Sequence, residues 1–152
     1  MNRLSSATFA AAALCLSYSA VSAGPDFAGS WFGKGTITFV ESRKSESAKC
    51  NSHIRSGVSA MSVVVTCGGS DRTELRANAS LTGNKMKGSW EERTYHTFGE
   101  LSGTFTDTSL QADFEGGGIG GTINMRRVED VLNIRVDVWG KMSFTIAMKK
   151  RG

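Results

Sequence analysis

Residues 73–95, TELRANASLTGNKMKGSWEERTY, decide the fold, because two runs of alternating residues flank Gly83-Asn84 within them. Pairing the runs across this turn gives one apolar face and one face of opposite charges, as antiparallel strands prefer. On this register the apolar pairs are Leu81–Met86, Ala79–Gly88 and Ala77–Trp90, and the charged pairs are Arg76–Glu91 and Glu74–Arg93. The stretch therefore predicts a hairpin with one buried face.

Three further hairpins follow the same pattern. A turn at Asp107-Thr108 and another at Glu129-Asp130 each set apolar residues against apolar residues. In the last hairpin, a three-residue loop at 140–142 would place Val136 opposite Ile146. The second half of the chain is therefore expected to be a continuous meander.

Short alternating runs separated by turn residues fill the chain after its N-terminal region, without helical periodicity. They predict an all-β, antiparallel up-and-down meander of about 8–10 strands. Closure into a small soluble barrel removes exposed strand edges, and a β-sandwich is the alternative. The glycines expected to face inward and permit tight coiling are Gly33, Gly35, Gly88, Gly103 and Gly121.

Polar and charged residues occupy the outward positions of this meander. An outer-membrane barrel needs an apolar exterior, so these residues exclude a lipid-facing surface. The outward positions are Lys34, Arg55, Arg76, Glu91, Arg93, Gln111, Asp113, Arg135 and Asp137.

The N-terminal region has the three parts of a secretory signal peptide. Arg3 supplies the positive charge, Ala7–Tyr18 is an apolar run too short to span a membrane, and Val21-Ser22-Ala23 fits a cleavage site. The expected organisation is a signal peptide at 1–23 and a single β-barrel domain at 24–152. The predicted location is periplasmic or secreted.

The cysteines fit an exported protein. Cys15 lies in the apolar run, which leaves Cys50 and Cys67 as an even pair. A metal site or redox pair is the alternative, but the spacing matches neither a C-x-x-C motif nor a zinc motif. A turn at Val58-Ser59, or a loop at 57–60, would place Cys50 opposite Cys67 and predicts a disulfide within one hairpin.

The positive charge is modest and scattered. The formal net charge is +4, and loss of Arg3 lowers it by one. Lys149-Lys150-Arg151 is the one basic cluster, at the C-terminus, without interleaved aromatics. Nucleic-acid binding is therefore not expected.

The first predicted strand reads FAGSWFGKG at 27–35. Its Gly29-x-Trp31 resembles the G-x-W opening of the lipocalin and avidin barrels. The resemblance implies that Trp31 closes one end of a barrel. It also implies that a basic residue of the last strand packs over Trp31; the candidates are Lys149, Lys150 and Arg151.

A second resemblance covers nearly all of the predicted domain. In its order of motifs the domain is similar to a group of small exported proteins. The order is G-x-W-x-G-x-G, two cysteines on adjacent strands, GSWEE at 88–92, and a glycine-punctuated meander that ends in basic residues. These proteins occur in rhizobia and related proteobacteria. The resemblance implies an exported barrel and no particular activity.

Two barrel families with known activities can be compared position by position. Avidins carry a biotin-binding Asn and Ser where this chain has Gly33 and Ile37, so biotin binding is not implied. Small lipocalin-like inhibitors of bacterial metalloproteases also begin with A-G-x-W, which matches 28–31 here. Their inhibitory N-terminal trunk is longer than the Gly24-Pro25-Asp26 that precedes this motif.

Groups for enzyme chemistry are scarce. The two histidines are His53, expected to face outward, and His96, expected in a loop. No nucleophile, zinc or nucleotide-binding motif is present, and the glycine-rich stretch 116–121 does not lead from a strand into a helix. We expect no catalytic residues, metal or cofactor.

Four residues are candidates for a ligand site in the barrel interior or at its mouth: Trp31, Trp90, Glu92 and Arg127. The registers place Glu92 and Arg127 on the apolar face near strand ends. There they would orient a polar ligand group or lie at a solvated rim. Trp31 and Trp90 face inward, as core residues or as a stacking surface.

The leading functional hypothesis is non-enzymatic binding of a small apolar ligand, because many inward residues are small and leave internal volume. The alternative is a protein-interaction or inhibitor module of the cell envelope, with an envelope protein as partner. That module would use exposed aromatic residues near Tyr95, Phe98 and Trp139.

Overall fold

The computed structural model describes residues 24–69 and 71–152. The predicted signal peptide lies outside the described residues. Ten β-strands account for most of the described chain. Their bounds are β1 Gly29–Phe39, β2 Ser45–Ser56, β3 Ala60–Gly68, β4 Arg72–Thr82, β5 Lys85–Glu92, β6 Thr97–Phe105, β7 Ser109–Gly116, β8 Ile119–Val128, β9 Val131–Val138 and β10 Met142–Lys150.

Each strand pairs antiparallel with the next, and β1 pairs with β10, so the sheet closes into a barrel. The predicted up-and-down barrel is therefore confirmed, and the sandwich alternative is wrong. At a spacing of about 4.8 Å and a tilt of about 40°, ten strands make a ring roughly 20 Å across between backbones. Eight strands already give an interior that side chains can just fill, so this interior is wider than the minimum.

The hairpin registers are those predicted from the sequence, with one exception. Ala77 pairs with Trp90, and the turns at 107–108 and 129–130 are as expected. In the last hairpin, however, Val136 pairs with Phe144 and not with Ile146. Lys141 N–H donates to Val138 O, closing a turn around left-handed Gly140 one residue earlier than expected. This shift of two residues keeps every side chain on its predicted face.

Glycines mark the places where neighbouring strands approach most closely. A Cβ added at Gly88 would overlap the Asn78 carbonyl on β4, and one at Gly103 would overlap the Gln111 carbonyl on β7. Gly33 and Gly121 face the neighbouring strand in the same way. A side chain at these positions would push the strands apart, so the glycines permit the curvature of the ring.

The Cys50–Cys67 disulfide is present, as predicted. The two residues are directly opposed on β2 and β3, with their Cα atoms 4.1 Å apart. Cys50 is fully buried and Cys67 is partly buried, so the bridge lies on the inner face of the hairpin.

One end of the barrel is sealed by the segment that precedes β1. Phe27 and Pro25 are fully buried there, and the Phe27 carbonyl accepts a hydrogen bond from Trp31 Nε1 at 2.9 Å. Lys150, one of the three basic candidates at the end of the chain, has its Nζ 5.6 Å from the Trp31 ring centroid. We call this the closed end.

The outer face is polar, and Lys34, Arg55 and Arg76 are exposed on it. None of the described segments is a helix of the length and apolar character needed to cross a membrane.

Candidate ligand site in the open half of the barrel

Inward side chains near the closed end form a compact core. Each is less than a tenth exposed, so this half of the interior is filled. The core residues of this half are Trp31, Ile54, Met61, Leu81, Met86, Phe105, Leu110, Met125, Leu132 and Met148.

Inward side chains toward the other end, which we call the open end, are only partly buried. The apolar ones alternate with outward residues in the same way, but they retain exposed surface. The apolar residues that line this open half are Ile37, Val65, Leu75, Ile119, Ile123, Val136, Val138 and Phe144. An apolar molecule that covered them would remove this surface from water, which is favourable by about 25 cal/mol per Å².

Trp90 and Phe114 form an aromatic pair in the interior. Both face inward and are nearly buried, and their ring centroids are 5.6 Å apart with the planes at 78°. Aromatic pairs favour this edge-to-face geometry. Both rings belong to the buried core.

Two buried polar atoms in the interior lack a hydrogen-bond partner among the described residues. They are Trp90 Nε1 and Ser52 Oγ, in side chains that are 5% and 4% exposed. Ser52 lies opposite Trp31 on β1 and Val65 on β3. Unpaired buried polar groups are rare in folded proteins and call for an explanation.

Glu92 lies at the open end, where the sequence placed it on the inward face. Its carboxylate accepts hydrogen bonds from the backbone N–H groups of Thr94 and Tyr95, at 2.9 and 2.7 Å. The Thr94 hydroxyl in turn donates to the Arg72 carbonyl at 3.1 Å. Glu92 therefore fixes the β5–β6 loop, a contact that strand alternation does not reveal.

Arg127 and Trp31 lie at the closed end, away from Trp90 and Glu92. Arg127 Nη1 forms an ion pair with Asp26 at 2.6 Å and its Nε donates to the Glu129 carbonyl at 2.8 Å. Its guanidinium lies 5.8 Å from the Trp31 ring centroid. The structure thus divides the four candidate residues between the two ends, and Trp90 and Glu92 belong to the open half.

Exposed aromatic residues occur near the open end. Tyr95, Phe98 and Trp139 are 70%, 71% and 61% exposed. The Trp139 ring also covers Gly120, and the backbone N–H of Trp139 donates to the Gly120 carbonyl at 2.9 Å. Trp139 is therefore both exposed and packed against the barrel wall.

The titratable groups with shifted pKa values lie on the outer face. A hydrogen bond from Arg135 lowers the pKa of Asp137, and one from Arg76 lowers that of Glu74. His53 is also on the outer face, with its Nδ1 3.2 Å from Ser30 Oγ. No group of three or more metal-ligating side chains occurs within 24–69 and 71–152.

Two grooves of about 570 and 560 Å³ lie along the barrel wall. Their lining includes outward polar residues such as Gln111 and Asn124 in the first and Arg55 and Asn78 in the second. Apolar residues also line them, such as Leu110 and Ile134 in the first groove and Met61 and Ala79 in the second.

No protein-family model matches the chain, and no curated protein matches it. Among solved structures, a de novo designed fluorescence-activating β-barrel is 10% identical, with a TM-score of 0.47 over 83% of this chain and 94% of that one. EF1p2_mFAP2b bound to DFHBI is 11% identical, with a TM-score of 0.41 over 82% and 93% of the two chains. A redesigned β-barrel, also 11% identical, has a TM-score of 0.41 over 82% and 91%.

Proposed function

We propose that this chain is an exported, non-enzymatic β-barrel that binds a small, largely apolar molecule in its open half. One observation carries the proposal: the apolar inward side chains are buried at the closed end, whereas most of those toward the open end are partly exposed. Apolar surface inside a folded domain is normally buried by its own side chains. A bound ligand would cover the apolar surface that is still exposed in the open half.

The width of the ring supports the same proposal. A ten-stranded barrel is wider than the eight-stranded barrels that hold one small ligand, and several of its inward positions are small. These small positions are Gly33, Gly35, Ala77, Gly88, Gly103, Ala112 and Gly121.

Export is supported by the disulfide, because such bonds persist in oxidising compartments. The signal-peptide pattern of residues 1–23 points to the same compartment.

A second function, binding of an envelope protein, is favoured by the exposed aromatic residues near the open end. Tyr95, Phe98 and Trp139 are residue types enriched in the centres of protein interfaces. This surface would bind a partner without any molecule entering the barrel.

Two neighbouring valines on β3 provide a direct test. Val65 faces the interior and Val64 faces outward, so Val65→Phe fills the open half while Val64→Phe is a matched control. With the neutral fluorophore N-phenyl-1-naphthylamine, we expect Val65→Phe to weaken binding at least about tenfold and Val64→Phe to leave it unchanged. Thermal unfolding of both variants checks that the fold is retained.

Native mass spectrometry of protein purified from the periplasm distinguishes the two functions. A co-purifying small molecule that is absent from Val65→Phe supports ligand binding. A stoichiometric protein, together with no fluorophore binding by the wild type, contradicts it in favour of the interaction surface.

A further inference from the structure

A basic surface lies on the outer wall formed by β10, β1 and β2. Lys34 of β1 is directly opposite Lys49 of β2, and both side chains are exposed. Like charges that oppose each other on neighbouring strands destabilise a sheet. The outward positions of these three strands include no acidic residue, and neither lysine has an ion pair within the described chain. The wall therefore carries positive charge without a counter-charge of its own.

Phe32 is at the centre of this surface. Its side chain is 43% exposed, and Lys149 lies opposite it on β10. The Arg151 guanidinium is 5.5 Å from the Phe32 ring centroid. The fold thus brings lysines of β1 and β2 to the basic residues at the end of the chain. We define the basic patch as Phe32, Lys34, Lys49, Lys149 and Arg151.

An acidic surface with the same arrangement lies on β5, β6 and β7. Glu100 of β6 is directly opposite Glu115 of β7, and both are exposed. Glu91 of β5 is opposite Phe98, which is 71% exposed. The outward positions of β6 and β7 include no basic residue, and these three carboxylates form no ion pair within 24–69 and 71–152. We define the acidic patch as Glu91, Phe98, Glu100, Asp113 and Glu115.

The two patches are on opposite sides of the barrel. In the closed ring of ten strands, β1 and β6 are five strands apart in either direction. A twofold dimer cannot pair both patches at once, because they face away from each other. A contact between the basic patch of one copy and the acidic patch of another is therefore head to tail, and it leaves a patch free at each end for further copies.

We propose that this protein associates with itself head to tail, with the basic patch of one copy against the acidic patch of the next. A second copy supplies the opposite charge and an exposed phenylalanine to each patch. An anionic membrane surface would neutralise the basic patch alone and leave Glu100 and Glu115 opposed. The association goes beyond the proposed function and is independent of it, since both patches are on the outer face.

The size and charge of the contact determine its strength. Three strands make a patch about 15 Å wide, which is small for a protein interface, so the association is weak. Its attraction is between exposed charges and is therefore sensitive to salt. The Debye length falls from about 30 Å at 10 mM salt to under about 10 Å at 300 mM.

Sedimentation velocity of the purified wild type at increasing protein concentration provides the first test. At about 10 mM salt, we expect the weight-average mass to rise beyond that of a dimer. Raising the salt to about 300 mM should weaken the association at least about tenfold. A wild type that stays monomeric up to its solubility limit overturns the proposal, as does association that salt leaves unchanged.

Charge reversal tests which patches meet. Lys34→Glu with Lys49→Glu removes the basic patch and keeps the acidic one, whereas Glu100→Lys with Glu115→Lys does the opposite. Each double variant alone should associate at least about tenfold more weakly than the wild type. A mixture of the two should form a one-to-one dimer and no longer chain, because one intact patch of each kind remains.

Arg55→Glu with Arg126→Glu is the matched control. It changes the net charge by the same amount as the lysine reversal, at exposed positions outside both patches, and should associate as the wild type does. Thermal unfolding of every variant checks that the fold is retained. The salt dependence of the wild type needs no variant, so the proposal stays testable even if one of them does not fold.

The remaining outcomes identify a different partner or none. A mixture of the reversed variants that stays monomeric, or a reversed variant that associates alone as strongly as the wild type, overturns the proposal. Vesicles of phosphatidylglycerol test the membrane alternative. A monomeric wild type that binds these vesicles, with binding lost in Lys34→Glu with Lys49→Glu, overturns self-association and assigns the basic patch to an anionic membrane.

Discussion

At the scale of single residues, Gly88 shows how the ring limits side chains. A methyl group there would overlap the Asn78 carbonyl, so we expect Gly88→Ala to lower the free energy of unfolding by about 2 kcal/mol or more. Gly68, at the end of β3, has no atom within 4 Å of its added Cβ, and Gly68→Ala should change stability by less than about 0.5 kcal/mol. Urea denaturation of the two variants measures the difference, and equal effects would contradict a role for close strand approach.

The ion pair between Arg135 and Asp137 predicts part of the loss of folding stability at acidic pH. Arg135 donates two hydrogen bonds to the Asp137 carboxylate, at 2.8 and 2.9 Å, and thereby lowers its pKa. A carboxyl whose pKa is lower in the folded state stabilises the fold above its unfolded pKa of about 4. This contribution is lost as the pH falls through the folded pKa.

Below about pH 4, Asp137→Asn should therefore lose less thermal stability than the wild type as the pH falls. Asp113→Asn is the control, because Asp113 is on the same outer face without an ion pair in the described chain. Melting temperatures between pH 2 and 7 check the prediction, and parallel curves for Asp137→Asn and wild type would contradict it.

At the scale of elements, the disulfide joins β2 and β3 in the hairpin that contacts both β1 and β4. Replacing both Cys50 and Cys67 by Ala should lower the free energy of unfolding by about 3 kcal/mol, because the unfolded chain regains the freedom of the closed loop. Urea titrations with and without reductant provide the check. Reductant should destabilise the wild type and leave the double variant unchanged.

The seal at the closed end is a second element-scale feature. Arg127→Met removes the ion pair with Asp26, the hydrogen bond to the Glu129 carbonyl and the cation over Trp31. We expect a loss of about 2 kcal/mol in unfolding free energy.

The affinity of Arg127→Met for N-phenyl-1-naphthylamine should stay unchanged, since Arg127 is outside the open half. Lys149→Met, at an exposed position on β10, is the control for loss of a surface charge and should leave stability unchanged. Weaker probe binding by Arg127→Met would show that the site reaches the closed end.

Local patterns predict strands and hairpin pairs in this chain because side-chain direction repeats every two residues and short turns limit the register. The last hairpin shows the limit: loops at 139–141 and 140–142 preserve the same faces, so alternation alone does not choose between them. The partners of Glu92 and Arg127 were not predictable either. They come from backbone groups and from the segment before β1.

At the scale of the whole molecule, the pairing of β1 with β10 joins the two ends of the domain in sequence. Consecutive hairpins indicate a meander, but only this long-range pairing distinguishes the barrel from a sandwich. The difference in burial between the two halves also depends on closure. The sequence therefore predicts which side chains face inward and not which of them keep contact with water.

The position of the two chain ends has a mechanical consequence. β1 begins and β10 ends at the closed end, where Arg151 N–H still donates to the Ser30 carbonyl. Tension applied between Gly24 and Gly152 therefore opens the rungs between these strands one after another, whereas tension between Gly24 and Lys141 loads them together.

In single-molecule force spectroscopy, the first geometry should rupture at clearly lower force than the second, and equal rupture forces would contradict this prediction. When its two chain ends are pulled, the closed barrel therefore opens between β1 and β10.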